Sequence, residues 1–139
     1  MKEQNFKNHA MFSPLYHYIT VPLSFLSIYL TVTYITRGIN IVSVTLLLMA
    51  VLFILCITLI RYFPLRAQDR AIRAEENLRY FSMTGKLLDS SLKMSQITAL
   101  RFASDPEFVA LVEKASKENM SSKEIKLAIK NWRADNNRL

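Results

Sequence analysis

Two runs without a single charged side chain limit what this chain can fold into. From Asn8 to Thr36 there is no Lys, Arg, Asp or Glu, and the same holds from Gly38 to Ile60. Each run exceeds the roughly 20 residues that a helix needs to cross about 30 Å of hydrocarbon. The pattern predicts spans near 15–36 and 40–62, joined by a turn around Arg37-Gly38-Ile39-Asn40. A cleaved leader fits the first run poorly, because the run is long, aromatic and begins well after a neutral-to-basic tail. The expected fold class is all-α: a two-helix transmembrane hairpin, then a helical stalk, then a small helical tail.

Charge is distributed just as unevenly. Up to residue 60 the charged side chains are Lys2, Lys7, Arg37 and Glu3, so most of the 18 basic and 11 acidic residues behind the net charge of +7 come later. That later part is mildly basic and mixed in sign, unlike a polycationic nucleic-acid arm. Arg61, Arg66, Arg70, Arg73 and Arg79 follow the second run, whereas the turn holds only Arg37. The positive-inside rule then puts both termini in the cytoplasm and the turn outside. Tyr16, Tyr18, Tyr62 and Phe63 are expected to form an aromatic belt at the cytoplasmic interface, with His17 a solvated imidazole among them. The regions are thus a tail over 1–14, the hairpin over 15–63, an amphipathic stalk over 64–84 and a basic helical tail over 85–139.

Within the first span Thr20, Ser24, Ser27 and Thr31 recur at helical spacing on one face. Small residues let helices approach closely, and their hydroxyls bond across to a neighbour or back to carbonyls a turn earlier. The face is a seam against the second span, which offers Ser43, Ala50 and Cys56, a docking face for another membrane subunit, or, least favoured because two spans without a buried charge make a poor conduit, part of a transport pathway. Pro22, early in this span, is expected to kink it.

In the stalk, Pro64 suits the first turn of a new helix, so the second span either kinks there or ends and restarts. Ala67, Ala71, Ala74, Leu78 and Phe81 align at steps of four, three, four and three. An interfacial membrane helix presents bulky Trp, Phe and Leu to lipid. Three alanines in five positions favour packing against another helix instead. Arg66, Arg70 and Arg73 form a separate stripe, placed to meet lipid headgroups. Asp69–Arg73 and Glu75–Arg79 are acid-first pairs four residues apart, each worth about 0.2–0.5 kcal/mol when formed.

Gly85 reads as the stop of the stalk. Three short helices are expected after it. The first runs through 95–103. The second opens with Asp105 as N-cap and Pro106, and turns Phe108, Leu111, Val112 and Ala115 inward. The third opens on a capping box of Ser121 and Glu124. On this last helix Ile125, Ala128, Ile129 and Trp132 share one side, and Lys123, Lys126, Lys130 and Arg133 another. The basic side is left in water, meets anionic lipid, or contacts RNA. A tail of about 55 residues makes only a marginal core unaided, so it is expected to lean on a partner or a second copy.

The residues offer little chemistry. Cys56 is the one cysteine, His9 and His17 are the histidines, and there are two glycines. No disulfide, metal site, phosphate loop or other cofactor site is expected. Glu75 and Glu76 are adjacent, so on a helix they diverge by about 100° and form no acid–base pair. The expectation is a protein that is not an enzyme and takes no small-molecule substrate.

The stretches QDRAIRAEENLRYF, TGKLLD, QITALRFASDPEF and KEIKLAIKNWRAD, with QNFKNHAMFSPLYH near the start, resemble a family of small bacterial membrane proteins of unknown function. Gln68, Asp69, Arg70, Arg73, Glu75, Glu76 and Asn77 match its pattern, as do Arg101, Phe102, Asn131, Trp132, Arg133 and Asp135. The resemblance covers almost the whole chain and implies a bacterial inner-membrane setting, a two-span hairpin and a charged helical tail. The expected role is an accessory subunit or adaptor. Its partners would be other membrane subunits or a second copy, with anionic lipid at the surface. A tether for ribosomes or nucleic acid is the alternative.

Overall fold

The structure is a computed structural model and describes residues 4–9 and 13–135. It is all-helical, with no strand among the described residues. A π-helical turn, Leu15–Thr20, leads directly into α1 (Val21–Ile35), followed by α2 (Ile41–Thr84), α3 (Met94–Leu100), α4 (Asp105–Lys117) and α5 (Ser122–Ala128). An isolated antiparallel bridge joins Ala103 to Trp132. The chain divides into two compact units: Phe12–Leu65, and Arg66–Leu139 together with Met1–Met11. Of the tail expected over 1–14, residues 1–3 and 10–12 lie outside the described residues, as do 136–139.

In the first unit two helices are long and apolar enough to cross a membrane, one over Leu15–Ile35 and one within α2. Pro22 has no N–H and its ring crowds the carbonyl four residues back. The backbone accommodates this upstream by widening, with the Val21 N–H donating to the Tyr16 carbonyl five residues earlier. The turn before α2 uses Gly38 at φ +147°, a conformation side chains resist. Asn40 and Ser43 then cap α2 reciprocally. The Ser43 N–H donates to Asn40 Oδ1 at 2.9 Å, and the Asn40 N–H donates to Ser43 Oγ at 2.8 Å. What this unit buries is small: Ser24, Thr31, Ser43 and Ala50. Its Leu, Ile, Val and Phe side chains point outward, with Phe25 69% and Leu48 65% exposed. Tyr16 carries the Arg61 guanidinium over its ring at 5.5 Å.

Of the two alternatives at Pro64, a kink or an end and restart, the second does not occur: α2 runs through the proline as one helix of 44 residues. Its end is where the glycine predicts. Gly85 sits at φ +71° and its N–H returns to the Phe81 carbonyl at 2.8 Å.

The second unit is organised around Phe102 and Phe108, which are fully buried together with Ile97, Leu100 and Ile125. Helix α4 turns in Phe108, Leu111, Val112 and Ala115, as its periodicity predicts. Its N-cap is Ser104, not Asp105, which is already the first helical residue. Helix α5 has the expected box, with the Ser121 and Glu124 side chains each accepting from the other's N–H at 3.2 and 2.6 Å. It ends sooner than its apolar spacing suggests. Ile129 is extended, because the N–H groups of Lys130 and Asn131 donate to the Glu107 carboxylate, each at 3.0 Å, and Arg133 N–H donates to the Phe102 carbonyl at 2.8 Å. These tertiary bonds replace the helical ones that another turn would supply.

The tail does not build this core alone. Ile72 and Tyr80 of α2 belong to it, and the loop after Gly85 adds Leu88 and Leu92. Residues 4–9 join from the other end of the chain. Gln4 and Asp135 exchange amide bonds at 2.9 and 3.3 Å, and the His9 ring lies 5.8 Å from both Phe102 and Trp132.

Candidate functional site

The C-terminal part of α2 has two faces with opposite fates. Ile72, Glu76 and Tyr80, spaced four apart, are buried against the core. Ala67, Ala71, Ala74, Leu78 and Phe81 are all exposed and outside that core, although Ala71 also borders a cavity that Ile72 and Glu76 line. Leu78 is 68% exposed and Phe81 49%, so apolar surface is left bare beside the alanines. The stripe expected to make a helix contact is not the one that the chain uses on itself. Ile72 and Tyr80 were missed because the alanine run is the longer periodic signal. The i, i+4 spacing of Ile72 and Tyr80 around Glu76 was the clue that could have revealed them.

The packed face is fastened by charge. Arg79, with 9% of its side chain exposed, donates to Glu76 at 3.1 Å, to Asp105 at 2.5 Å and to the Ala103 carbonyl at 2.8 Å. Its guanidinium also lies 4.0 Å from the centre of the Phe108 ring. The Glu75–Arg79 and Asp69–Arg73 pairs expected from spacing are both absent among the described residues. Arg79 is drawn to Glu76 and Asp105, and Arg73 reaches the Leu92 carbonyl at 3.4 Å. Arg101 pairs with Asp135 at 3.1 Å and stacks at 4.8 Å over Phe102. Between them lies a cavity of about 370 Å³ lined by Gln68, Glu75, Glu76, Arg101, Arg133 and Asp135, among others.

Burial pushes the Glu76 carboxyl above the ordinary glutamate value, against the downward pull of Arg79. Burial acts in the same sense on Glu107, but the N–H groups of Lys130, Asn131 and Ser104 outweigh it and hold that carboxyl low. Glu76, Asp105 and Asp135 each face a guanidinium, and Glu107 faces backbone N–H groups. The arrangement is that of a clamp holding α2 to the tail. Among the described residues no group of three His, Cys, Asp or Glu could hold a metal ion.

The basic residues of the tail do not form one stripe. Lys123 and Lys126 are on α5, but the helix stops at Ala128, so Lys130 and Arg133 leave its register. Lys126 turns to His9, with Nζ 3.1 Å from Nε2. Trp132 packs on Phe102 at 5.1 Å between ring centres and belongs to the rim of the core. By contrast, Arg66, Arg70 and Arg73 do converge, around a space of about 240 Å³ that Asp69 and Met94 also line.

In the first unit Ser24 and Thr31 are buried, while Thr20 and Ser27 are partly so. Their hydroxyls donate to carbonyls of their own helix: Ser24 to Thr20 at 2.6 Å, Ser27 to Ser24 and Thr31 to Ser27 at 2.8 Å each, and Thr20 to Leu15 at 3.1 Å. Ser27 and Thr31 line an open groove together with Ala50 and Cys56 of α2.

The chain belongs to a family of unknown function (DUF6526), whose model matches residues 1–139. No curated protein and no solved structure matches it.

Proposed function

We propose that this DUF6526 protein is a non-enzymatic accessory subunit or adaptor of a bacterial inner-membrane complex. The apolar helix pair anchors it and the tail is presented in the cytoplasm. The observation that carries this reading is the bare Ala67, Ala71, Ala74, Leu78 and Phe81 face, left open while the opposite face of α2 is packed. Alanines bury little area themselves but admit a close helix, with Leu78 and Phe81 supplying the apolar contact.

The outward-facing Leu, Ile and Phe side chains of residues 15–60 support lipid as their solvent. The bonds between Gln4 and Asp135 support an even number of crossings, since residues before and after the helix pair share one unit. The excess of Arg after the second helix supports a cytoplasmic side for both. The ribosome or nucleic-acid reading loses its main support, because Lys130 and Arg133 do not continue the face of Lys123 and Lys126.

Purification in mild detergent, with identification of what co-purifies, tests the proposal. Membrane subunits or a second copy are expected with the natural chain and should be lost with Ala71→Leu. Ribosomal proteins or RNA in their place would favour the tether.

A further inference from the structure

The bare stripe of α2 is flanked by charge in a regular order. Ala67, Ala71, Ala74, Leu78 and Phe81 follow steps of four, three, four and three, the spacing of the inner positions of a heptad repeat. The order of the steps fixes the register: Ala67, Ala74 and Phe81 take position d, and Ala71 and Leu78 take position a. Position e, along one edge of the stripe, then falls on Gln68, Glu75 and Ser82. Position g, along the other edge, falls on Arg70, Asn77 and Thr84. The charged residues of these two edges are Arg70 and Glu75, of opposite sign. Both side chains are exposed, and neither makes a hydrogen bond or ion pair among the described residues. They do not meet within one helix, since five residues apart they diverge by about 140°.

We infer that this face pairs with the same face of a second copy, in a parallel two-helix seam where Arg70 of each chain meets the partner's Glu75. In a parallel, in-register pair, a residue at g lies beside the residue at e five positions further along the other helix. Arg70 and Glu75 stand in that relation, and twofold symmetry repeats the pair on the opposite edge. An antiparallel pair centred on Ala74 joins like edges instead, and sets Glu75 beside the partner's Glu75. Alanine at three of the five inner positions lets the helices approach to the short end of the roughly 8–10 Å range. Leu78 and Phe81, exposed in one chain, then cover their counterparts and supply the apolar burial. Direction follows from continuity. Helix α2 runs unbroken from the apolar run into this stripe, so two copies inserted alike in one membrane present it in the same sense. The stripe is shorter than the roughly three or four heptads of a free-standing coiled coil, and confinement of both copies to one bilayer compensates by raising their effective concentration.

Self-pairing rests on the membrane adaptor reading and commits its partner to a second copy, and the two are separable by experiment. The full chain carrying Ala74→Cys in a Cys56→Ser background is oxidised mildly, with a copper catalyst, in isolated membranes. The two Ala74 positions face each other across the twofold of a parallel pair, so a disulfide-linked dimer is expected. Lys117→Cys, exposed at the end of α4, should give none. Arg70→Glu should lower the linked fraction several-fold, and adding Glu75→Arg to it should restore the dimer. Circular dichroism of both charge variants should match the starting chain; where it does not, Arg70→Gln replaces the reversal with the same loss expected. A linked fraction indifferent to every change at Arg70 and Glu75 would overturn the pairing. Preferential linkage of Ala67→Cys to Phe81→Cys in co-expressed chains would make the seam antiparallel and overturn it too. No linkage at Ala67, Ala71 or Ala74, with other membrane proteins still co-purifying and lost in Ala71→Leu, would overturn the second copy and leave the adaptor reading standing. No linkage and no co-purifying membrane protein would overturn both.

Discussion

The two units of this chain are built inside out with respect to each other. Residues 66–135 bury Phe102, Phe108, Ile97 and Leu100 and expose lysines and glutamates, as a protein in water does. Residues 15–60 bury Ser24, Thr31, Ser43 and Ala50 and expose leucine, isoleucine and phenylalanine. One helix, α2, takes part in both. On the proposed membrane setting, the difference teaches that burial is set by the solvent around each segment. Where hydrocarbon surrounds a helix pair, apolar burial drives nothing and closeness of approach decides the seam. Where water surrounds the tail, apolar area decides it.

The sharpest way to break this comparison is to make one substitution in each unit. Phe108→Ala, at a fully buried ring, should cost about 3–5 kcal/mol and lower the urea midpoint of the tail's transition severely. Phe53→Ala, at a ring 47% exposed, should cost under about 1 kcal/mol in detergent or lipid, since no packed cavity forms. Similar losses at both sites would mean that the first unit has a water-type core.

A smaller effect sharpens the contrast between the faces of α2. Ala115, fully buried in α4, has no room to grow, and Ala115→Leu should cost about 1–3 kcal/mol. Ala71→Leu, on the bare face, should change the stability of the isolated chain by no more than about 0.5 kcal/mol. Its consequence should be loss of association. If Ala71→Leu destabilises the isolated chain as Ala115→Leu does, the face is not free.

The features legible in the sequence are those whose cause is local. Gly85 stops α2, Ser121 and Glu124 box α5, and the spacing of Phe108, Leu111, Val112 and Ala115 gives the inner face of α4. What was not legible is made by partners far apart in the chain. Glu107 captures the N–H groups of Lys130 and Asn131 and so ends α5. Arg79 leaves its neighbour Glu75 for Asp105. His9 crosses to Trp132. No periodicity records such choices, and each overrode a helical pattern that was correct as a pattern.

A finer effect separates the Glu76 and Glu107 carboxylates by pH. The folded chain holds the Glu76 proton more tightly than the unfolded chain, whose value is near 4.5. Its contribution to stability is complete below that value and is lost as pH rises through the raised folded value. Glu107 runs the other way: its contribution is present above 4.5 and is lost as pH falls through its lowered value. Glu76→Gln should therefore flatten the gain in melting temperature as pH falls from neutral toward 4.5. Glu107→Gln should flatten the loss at more acid pH. Melting curves of the three chains across this range measure both, and an unchanged profile in Glu76→Gln would show that burial does not govern its proton.

The central claim is that the apolar pair crosses a bilayer twice, with the turn on one side and both flanks on the other. Single cysteines placed in a Cys56→Ser background, at Ile39 in the exposed turn and at Lys130 in the tail, test it directly with a membrane-impermeant maleimide on intact bacterial cells. The account predicts labelling of Ile39→Cys in intact cells and of Lys130→Cys only after the membrane is opened. Labelling of Lys130→Cys from outside, or equal protection of both until lysis, would contradict it.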